Sequence, residues 1–204
     1  MTQDTLFSPD ISIDGTHLEV VDSFTFLGST ISSSLSLETE ISTRIGKTTA
    51  TMDKLNKRMW NNSLLAENTK LQVHHACVLS TLLYGSESWT TYAKQEKRLN
   101  SYHLCCLRRL LNIRWQDRVT AEVLQRASLP SLFALLNKWL LRWLGHVHRM
   151  AAGRIPKDML YGELCEGARP SRRPLLRYKD ACKRDMKQAG IDPNSWEGTA
   201  DNRF

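Results

Sequence analysis

From Leu132 to Met150 apolar residues return at spacings of three and four: Leu132, Leu135, Leu136, Trp139, Trp143, Val147 and Met150. That period puts them on one face of an α-helix and leaves Lys138, Arg142 and Arg149 on the other. A stripe this wide has to be buried against other elements, so the chain is constrained to a packed helical fold. Ser131 stands where a cap belongs, directly after Pro130. Asn137, Lys138 and Arg142 break the run well short of the ~20 apolar residues a spanning helix needs. No membrane segment is expected.

The same period governs Leu37, Ile41, Ile45, Thr48, Met52, Leu55 and Met59, after a serine-rich break in which Ser36 caps a helix with Glu38 and Glu40 in its first turn. A second helix is predicted from Asn68 to Tyr84, with Leu71, His75, Val78 and Leu82 inward and Gly85 as its stop. A third runs from about Ala93 to Asn112, buried along Leu99, Tyr102, Cys106, Leu110 and Ile113. Thr120 caps a short helix that ends before Pro130. After a stretch punctuated by Pro156, Gly162, Gly167, Pro170 and Pro174, a basic helix spans Leu175 to Ala189 with Tyr178, Cys182 and Met186 on its apolar stripe. Ahead of all these, Ile11-Ser12-Ile13, Asp14-Gly15 and His17 to Val21 read as a hairpin, because Asp-Gly supplies the positive φ angles of a tight turn. Phe24 to Ile31 reads as a third extended piece with Phe24, Phe26 and Gly28 on one face. The expected fold is mainly α: a small antiparallel β element over 1–35, a helical bundle over 36–152, and a basic linker and helix over 153–204.

Charge is unevenly spread. Residues 1–102 hold 9 Lys and Arg against 11 Asp and Glu, and residues 103–204 hold 19 against 10, so a net −2 is joined to a net +9. A basic half is the electrostatic footprint of a phosphate-binding surface. The amino terminus carries Asp4 and Asp10 and no basic stretch followed by an apolar run, so an intracellular setting, nucleus or cytoplasm, is expected. Cys77, Cys105, Cys106, Cys165 and Cys182 form no Cys-x-x-Cys pair and are expected as free thiols.

Few catalytic patterns are present. Two-metal phosphoryl transfer needs carboxylates that hold ions about 3.5–4 Å apart, and no Asp-Asp pair occurs in the sequence. Glu38 with Glu40, and Asp180 with Asp185, read as helix-start charge and as partners of neighbouring Lys and Arg. Gly-x-Ser-x-Gly, a phosphate-binding Gly-rich loop and His-Glu-x-x-His are also missing. His103 with Cys105 or Cys106 leaves a Cys–His pair open. His146, His148 and Cys165 lack the spacing of a structural zinc site; Trp139 and Trp143 lie in phase with the leucine face and read as core.

A series of phrases carries a resemblance: Phe24-Thr25-Phe26-Leu27-Gly28-Ser29, LLYGSESW (Leu82 to Trp89), LRRLLNIRWQDRVT (Leu107 to Thr120), RWLGHVHRM (Arg142 to Met150), RIPKDMLYGEL (Arg154 to Leu164) and RYKDACKRDMKQAGI (Arg177 to Ile191). In this order they resemble the carboxy-terminal third of a non-LTR (LINE-type) retrotransposon reverse transcriptase, downstream of its catalytic aspartates. The resemblance implies that Phe24, Phe26, Leu27 and Gly28 form a primer-grip-like turn and that the following helices are a thumb cradling template and product. It implies a fragment of an RNA-directed DNA polymerase that does not polymerise by itself. The parent polymerase would use Mg2+, and no cofactor is expected in this chain. Both ends are expected to be truncated relative to that pattern, and Arg173 stands where the family often has a glycine.

Cations outside the apolar stripes are the expected phosphate contacts: Arg44, Lys47, Lys54, Lys57 and Arg58 on the first helix, Arg114 and Arg118 around Trp115, and Arg172, Arg173, Arg177, Lys183 and Arg184 in the carboxy-terminal segment. The partner is then RNA or DNA with little sequence preference. Two other readings stay open: a co-opted helical module that binds another protein chain, and an element remnant without function.

Overall fold

The computed structural model describes residues 10–114, 117, 124, 129–162 and 176–201. They are mainly helical, with two small antiparallel hairpins ahead of the helices. Two compact units emerge: one takes in the described residues of Met1–Tyr84 and Lys97–Val123, the other those of Gly85–Glu96 and Leu124–Phe204. The helices expected to form one bundle over 36–152 are therefore shared between two units.

In the first unit β1 (Ser12–Ile13) pairs with β2 (Thr16–His17) across Asp14-Gly15, as the sequence predicts. The piece from Phe24 to Ile31 is not one strand. It reverses at Leu27-Gly28 into β3 (Ser23–Phe26) and β4 (Ser29–Ser32), with Phe24 opposite Ile31 and Phe26 opposite Ser29. Both turn residues have positive φ, 48° at Leu27 and 83° at Gly28, the requirement of a two-residue hairpin turn. Glycine adopts this freely, whereas leucine bears a cost of about 1–2 kcal/mol; the alternating pattern therefore reads straight through the turn, which only the resemblance implies.

Helix α1 (Glu38–Lys54) begins where Ser36 Oγ accepts the Glu38 amide at 3.3 Å. It buries Ile41, Thr48 and Met52 as its apolar period demands, with the Thr48 hydroxyl satisfied by Arg44 O at 2.7 Å. The helix then widens into a π-helical segment, Asn56–Trp60, whose Trp60 indole donates to Met52 O at 2.8 Å. The second predicted helix is α2 (Glu67–Val73), a π-helical segment His74–Leu79, and α3 (Ser80–Leu82), closed by Gly85 at φ 76°. The π turn shifts the phase of the stripe by about one residue. His74, not His75, therefore faces inward, together with Val78, Leu79, Leu82 and Leu83.

Helix α4 (Ala93–Leu110) buries Leu99, His103, Cys106, Leu107 and Leu110, with Tyr102 half-buried at its edge. The rings of His74 and His103 lie 5.4 Å apart, centroid to centroid.

In the second unit α5 (Leu132–His148) starts at Ser131, whose Oγ accepts the Ala134 amide at 3.2 Å. It buries Leu132, Leu135, Leu136, Leu140, Leu144 and Val147, and Trp139 and Trp143 are half-buried at the edges of that face. The Gly153 to Pro174 stretch is not all linker. Helix α6 (Ile155–Tyr161) forms within it with Pro156 in its first turn, where a missing N–H costs nothing. Helix α7 (Tyr178–Gln188) packs Cys182 and Met186 on Leu140 and Leu144 of α5 and ends before Gly190 at φ 72°. A final turn, α8 (Trp196–Asp201), adds Trp196 to the same core. Each buried leucine contributes roughly 1.5–3 kcal/mol, so this face anchors the unit. The predicted starts at Thr120 and Leu175 lie outside the described residues.

Candidate nucleic-acid interface

The β3–β4 turn is held from below by four side chains. Arg44 donates through Nη2 to Gly28 O at 2.6 Å and to Ser29 Oγ at 3.2 Å. Lys47 Nζ donates to Gly28 O at 3.1 Å, and Tyr84 Oη to Leu27 O at 3.0 Å. Glu40 accepts the Thr30 amide at 2.6 Å and binds Arg44 Nε at 2.7 Å. The Arg44 guanidinium also lies 4.5 Å above the Tyr84 ring, a cation–π contact. Helix α1 thus meets the hairpin at its turn carbonyls and along the outer edge of β4.

This arrangement corrects one predicted site residue. Arg44 is buried, and its charge is consumed by Glu40, Gly28 and Tyr84, so it is a positioning residue for the turn and offers nothing to a phosphate. Glu40 and Tyr84 were missed by the sequence reading. The signal for Glu40 was the Glu-to-Arg spacing of four residues, the favourable order for a helical pair; Tyr84 stood inside the Leu82 to Trp89 phrase.

The residues expected to form a primer-grip-like turn face water. Phe24 is 51% exposed, Phe26 55% and Leu27 76%, with Ile31 beside them at 46%. The rings of Phe24 and Phe26 stack with centroids 6.3 Å apart. Cross-strand partners share a face of a hairpin, so Phe24, Phe26 and Ile31 form one apolar surface. No side chain from residue 23 to residue 37 is charged. A Cβ added at Gly28 would meet nothing within 4 Å; the glycine serves the turn's φ angle.

Of the remaining cations, Lys47 and Lys54 on α1 and Lys57 and Arg58 on the π-helical segment that continues it are exposed. Lys47 and Lys54, seven residues apart, share a helical face, and the Lys47 bond to Gly28 O sets that face beside the turn. Arg114 is exposed, with its own amide bonded to Asp117 Oδ2 at 2.7 Å. Arg118, Arg172 and Arg173 lie outside the described residues.

In the second unit Arg177 is exposed and pairs with Asp180 at 3.2 Å, at the start of α7, and Lys183 is exposed. Arg184 is different. It binds Asp185 at 2.7 Å, Glu96 at 3.1 Å and Thr91 O at 3.2 Å, with Asp185 itself buried. Its guanidinium is a tie within the unit and corrects its prediction as a free phosphate contact; the acidic pair Asp180 and Asp185 does partner neighbouring arginines.

Other chemistry finds little support. Burial pushes the Cys106 thiol up to about 11, opposite to what a nucleophile needs, and Cys105 is exposed. His148 is bonded to Tyr161 Oη at 2.7 Å and Asp201 at 3.1 Å. Cys165 lies outside the described residues. Among the described residues no three His, Cys, Asp or Glu side chains gather as a metal site, and no helix is long and apolar enough to cross a membrane.

No family model matches the chain, and no solved structure matches it. Over 182 residues, 87% of its length, the chain is 25% identical to an uncharacterised transposon-derived protein of Caenorhabditis elegans. It covers 64% of that relative, less than two thirds of its length. The chain is thus similar to a transposon-derived protein along most of its own sequence.

Proposed function

We propose that this chain comes from the carboxy-terminal part of a non-LTR retrotransposon reverse transcriptase and binds RNA or DNA through the sugar-phosphate backbone, without polymerising. The observation that carries the reading is the clamped β3–β4 turn with the exposed cations Lys47 and Lys54 on the helix that holds it and Lys57 and Arg58 on the π-helical segment that follows. Similarity to a transposon-derived protein supports the origin. Binding of this kind is sequence-tolerant and weakens as salt rises. The chain would act inside the cell, where element transcripts and genomic DNA are found.

Filter-binding titrations with a short RNA and its DNA equivalent, at several salt concentrations, test this. Replacing Lys47, Lys54, Lys57 and Arg58 with Gln should weaken binding to every sequence and flatten the salt slope by about 0.7–0.9 for each phosphate no longer neutralised. Superimposable curves for wild type and variant would remove this surface from consideration. A second reading, a protein-interaction module, is favoured by one feature: the apolar, uncharged face of Phe24, Phe26 and Ile31. It predicts capture of a protein chain that Phe26→Ser abolishes and the Gln variant does not.

A further inference from the structure

The second unit carries a pocket of about 400 Å3, open to solvent on one side, between α5, α6 and the start of α7. Its walls include Trp143 and Val147 from α5, Leu160 from α6, and Tyr178 from α7, with Arg177 and Lys179 on either side of Tyr178. The volume falls at the lower end of the range for small-ligand sites, about 300–1,000 Å3. It suits a single planar heterocycle with part of its sugar.

The chemistry of the lining is specific in kind. Trp143 and Tyr178 supply aromatic surface, and the Tyr178 ring is fixed by its hydroxyl, which donates to Glu87 O at 3.1 Å. Lys179 Nζ lies 5.9 Å from the Tyr161 ring centroid, resting on an aromatic face. Arg177 is held by Asp180 through two bonds, at 3.2 and 3.3 Å. Among the described residues no Asp or Glu lines the cavity, and the carboxylate beside it is that of Asp180, which holds Arg177. An apolar, aromatic-walled cavity with cations beside one ring matches a group that is flat and apolar at one end and anionic at the other.

We propose that this cavity is a pocket for one unstacked nucleobase of a single strand, with the flanking phosphate at Lys179 and Arg177. Proteins that take single strands hold splayed bases on aromatic side chains while cations follow the backbone. Duplexes, whose bases are paired and stacked, cannot enter. The pocket rests on the nucleic-acid reading above, but it lies in the other unit and on other residues, and it gives the chain a reason to prefer single strands.

The test uses the full chain, a short single-stranded RNA, a duplex of the same sequence, and free AMP and UMP. Trp143→Leu keeps an apolar side chain in place and removes the stack. It should lower single-strand affinity about 10-fold, the scale of one base–aromatic stack, with the salt slope and duplex binding unchanged. Met159, another lining residue, is 78% exposed, so Met159→Asp keeps the fold and should weaken single strands similarly by placing a carboxylate at the mouth. Oligonucleotides carrying 4-thiouridine should crosslink to Trp143 or Tyr178.

Single-strand binding that is unchanged in both variants, with crosslinks elsewhere, overturns the pocket and leaves the phosphate-binding reading standing. Absence of single-strand and duplex binding in the wild type sinks that reading. Saturable tryptophan quenching by AMP or UMP, lost in Trp143→Leu, would then still establish the pocket. A fatty acid that saturates the cavity where nucleotides do not would overturn it.

Discussion

Glu40 and Arg44 pair at 2.7 Å one helical turn apart, with their side chains 2% and 5% exposed. A buried pair of this kind contributes little net stability while both members are present, because each has lost its water; removing one strands the other. Arg44→Ala should therefore cost about 3–5 kcal/mol in urea denaturation, while Lys57→Ala on the exposed face should stay within about 0.5 kcal/mol. The double replacement Glu40→Gln with Arg44→Met should recover much of the loss. Equal, small effects of Arg44→Ala and Lys57→Ala would contradict the buried role.

The His74 and His103 rings carry a pH dependence of definite sign. Burial, reinforced at His74 by the neighbouring histidines, lowers them to about 3 and about 4 respectively. In the unfolded chain both protonate near 6.5, so below that pH the unfolded state binds more protons. Their contribution is complete above pH 6.5 and is lost as pH falls toward 4, by about 1.4 kcal/mol per pH unit for each ring. Urea midpoints from pH 7 to pH 5 should fall in the wild type, and His74→Leu should remove about half of that slope. An unchanged slope would assign the acid sensitivity elsewhere.

Amide exchange should divide the hairpins. Each strand has one neighbour in its two-stranded sheet, and Ile11, Ile13, Leu18 and Val20 are exposed, so β1–β2 should exchange fast. The Thr30 amide, bonded to the buried Glu40 carboxylate, should be slow despite its position on an outer edge, and should become fast in Glu40→Ala. Slow exchange across Ser12 to His17 would show β1–β2 to be stable alone.

The chain should not extend a primer. Its sequence has no adjacent aspartates, the arrangement expected to hold the two metal ions of phosphoryl transfer. Purified protein incubated with template, primer, nucleotides and magnesium or manganese should give no incorporation; template-dependent product surviving rigorous purification would refute this.

What the sequence could reveal depended on how local the cause was. Asp14-Gly15, Ser131 and Gly85 act within a few residues, and each was legible as a turn, cap or stop. The mainly α class followed from the stripes of α1 and α5. The inward histidine was misassigned because a π turn between α2 and α3 breaks the period that placed it. Leu27 concealed the turn from the strand pattern, though not from the resemblance, because its conformation is one leucine rarely adopts. Arg44 and Arg184 looked like solvated cations because their partners, the Gly28 carbonyl, Tyr84, Glu96 and Thr91, are distant in sequence. At the candidate interface the cations of α1 could be named from sequence; which of them were already spoken for could not.

The outward set of Phe24, Phe26, Leu27 and Ile31 has a practical corollary for handling the protein. Sticky surface is ordinarily hidden by folding, so remedies that favour the folded state also keep a solution clear. Here the folded state is the one that displays it. Osmolytes or stabilising substitutions should therefore raise the melting temperature without raising the concentration at which the protein clouds. Polar replacements at Phe24 and Phe26 should do the reverse, improving colloidal behaviour while leaving the melting temperature nearly fixed.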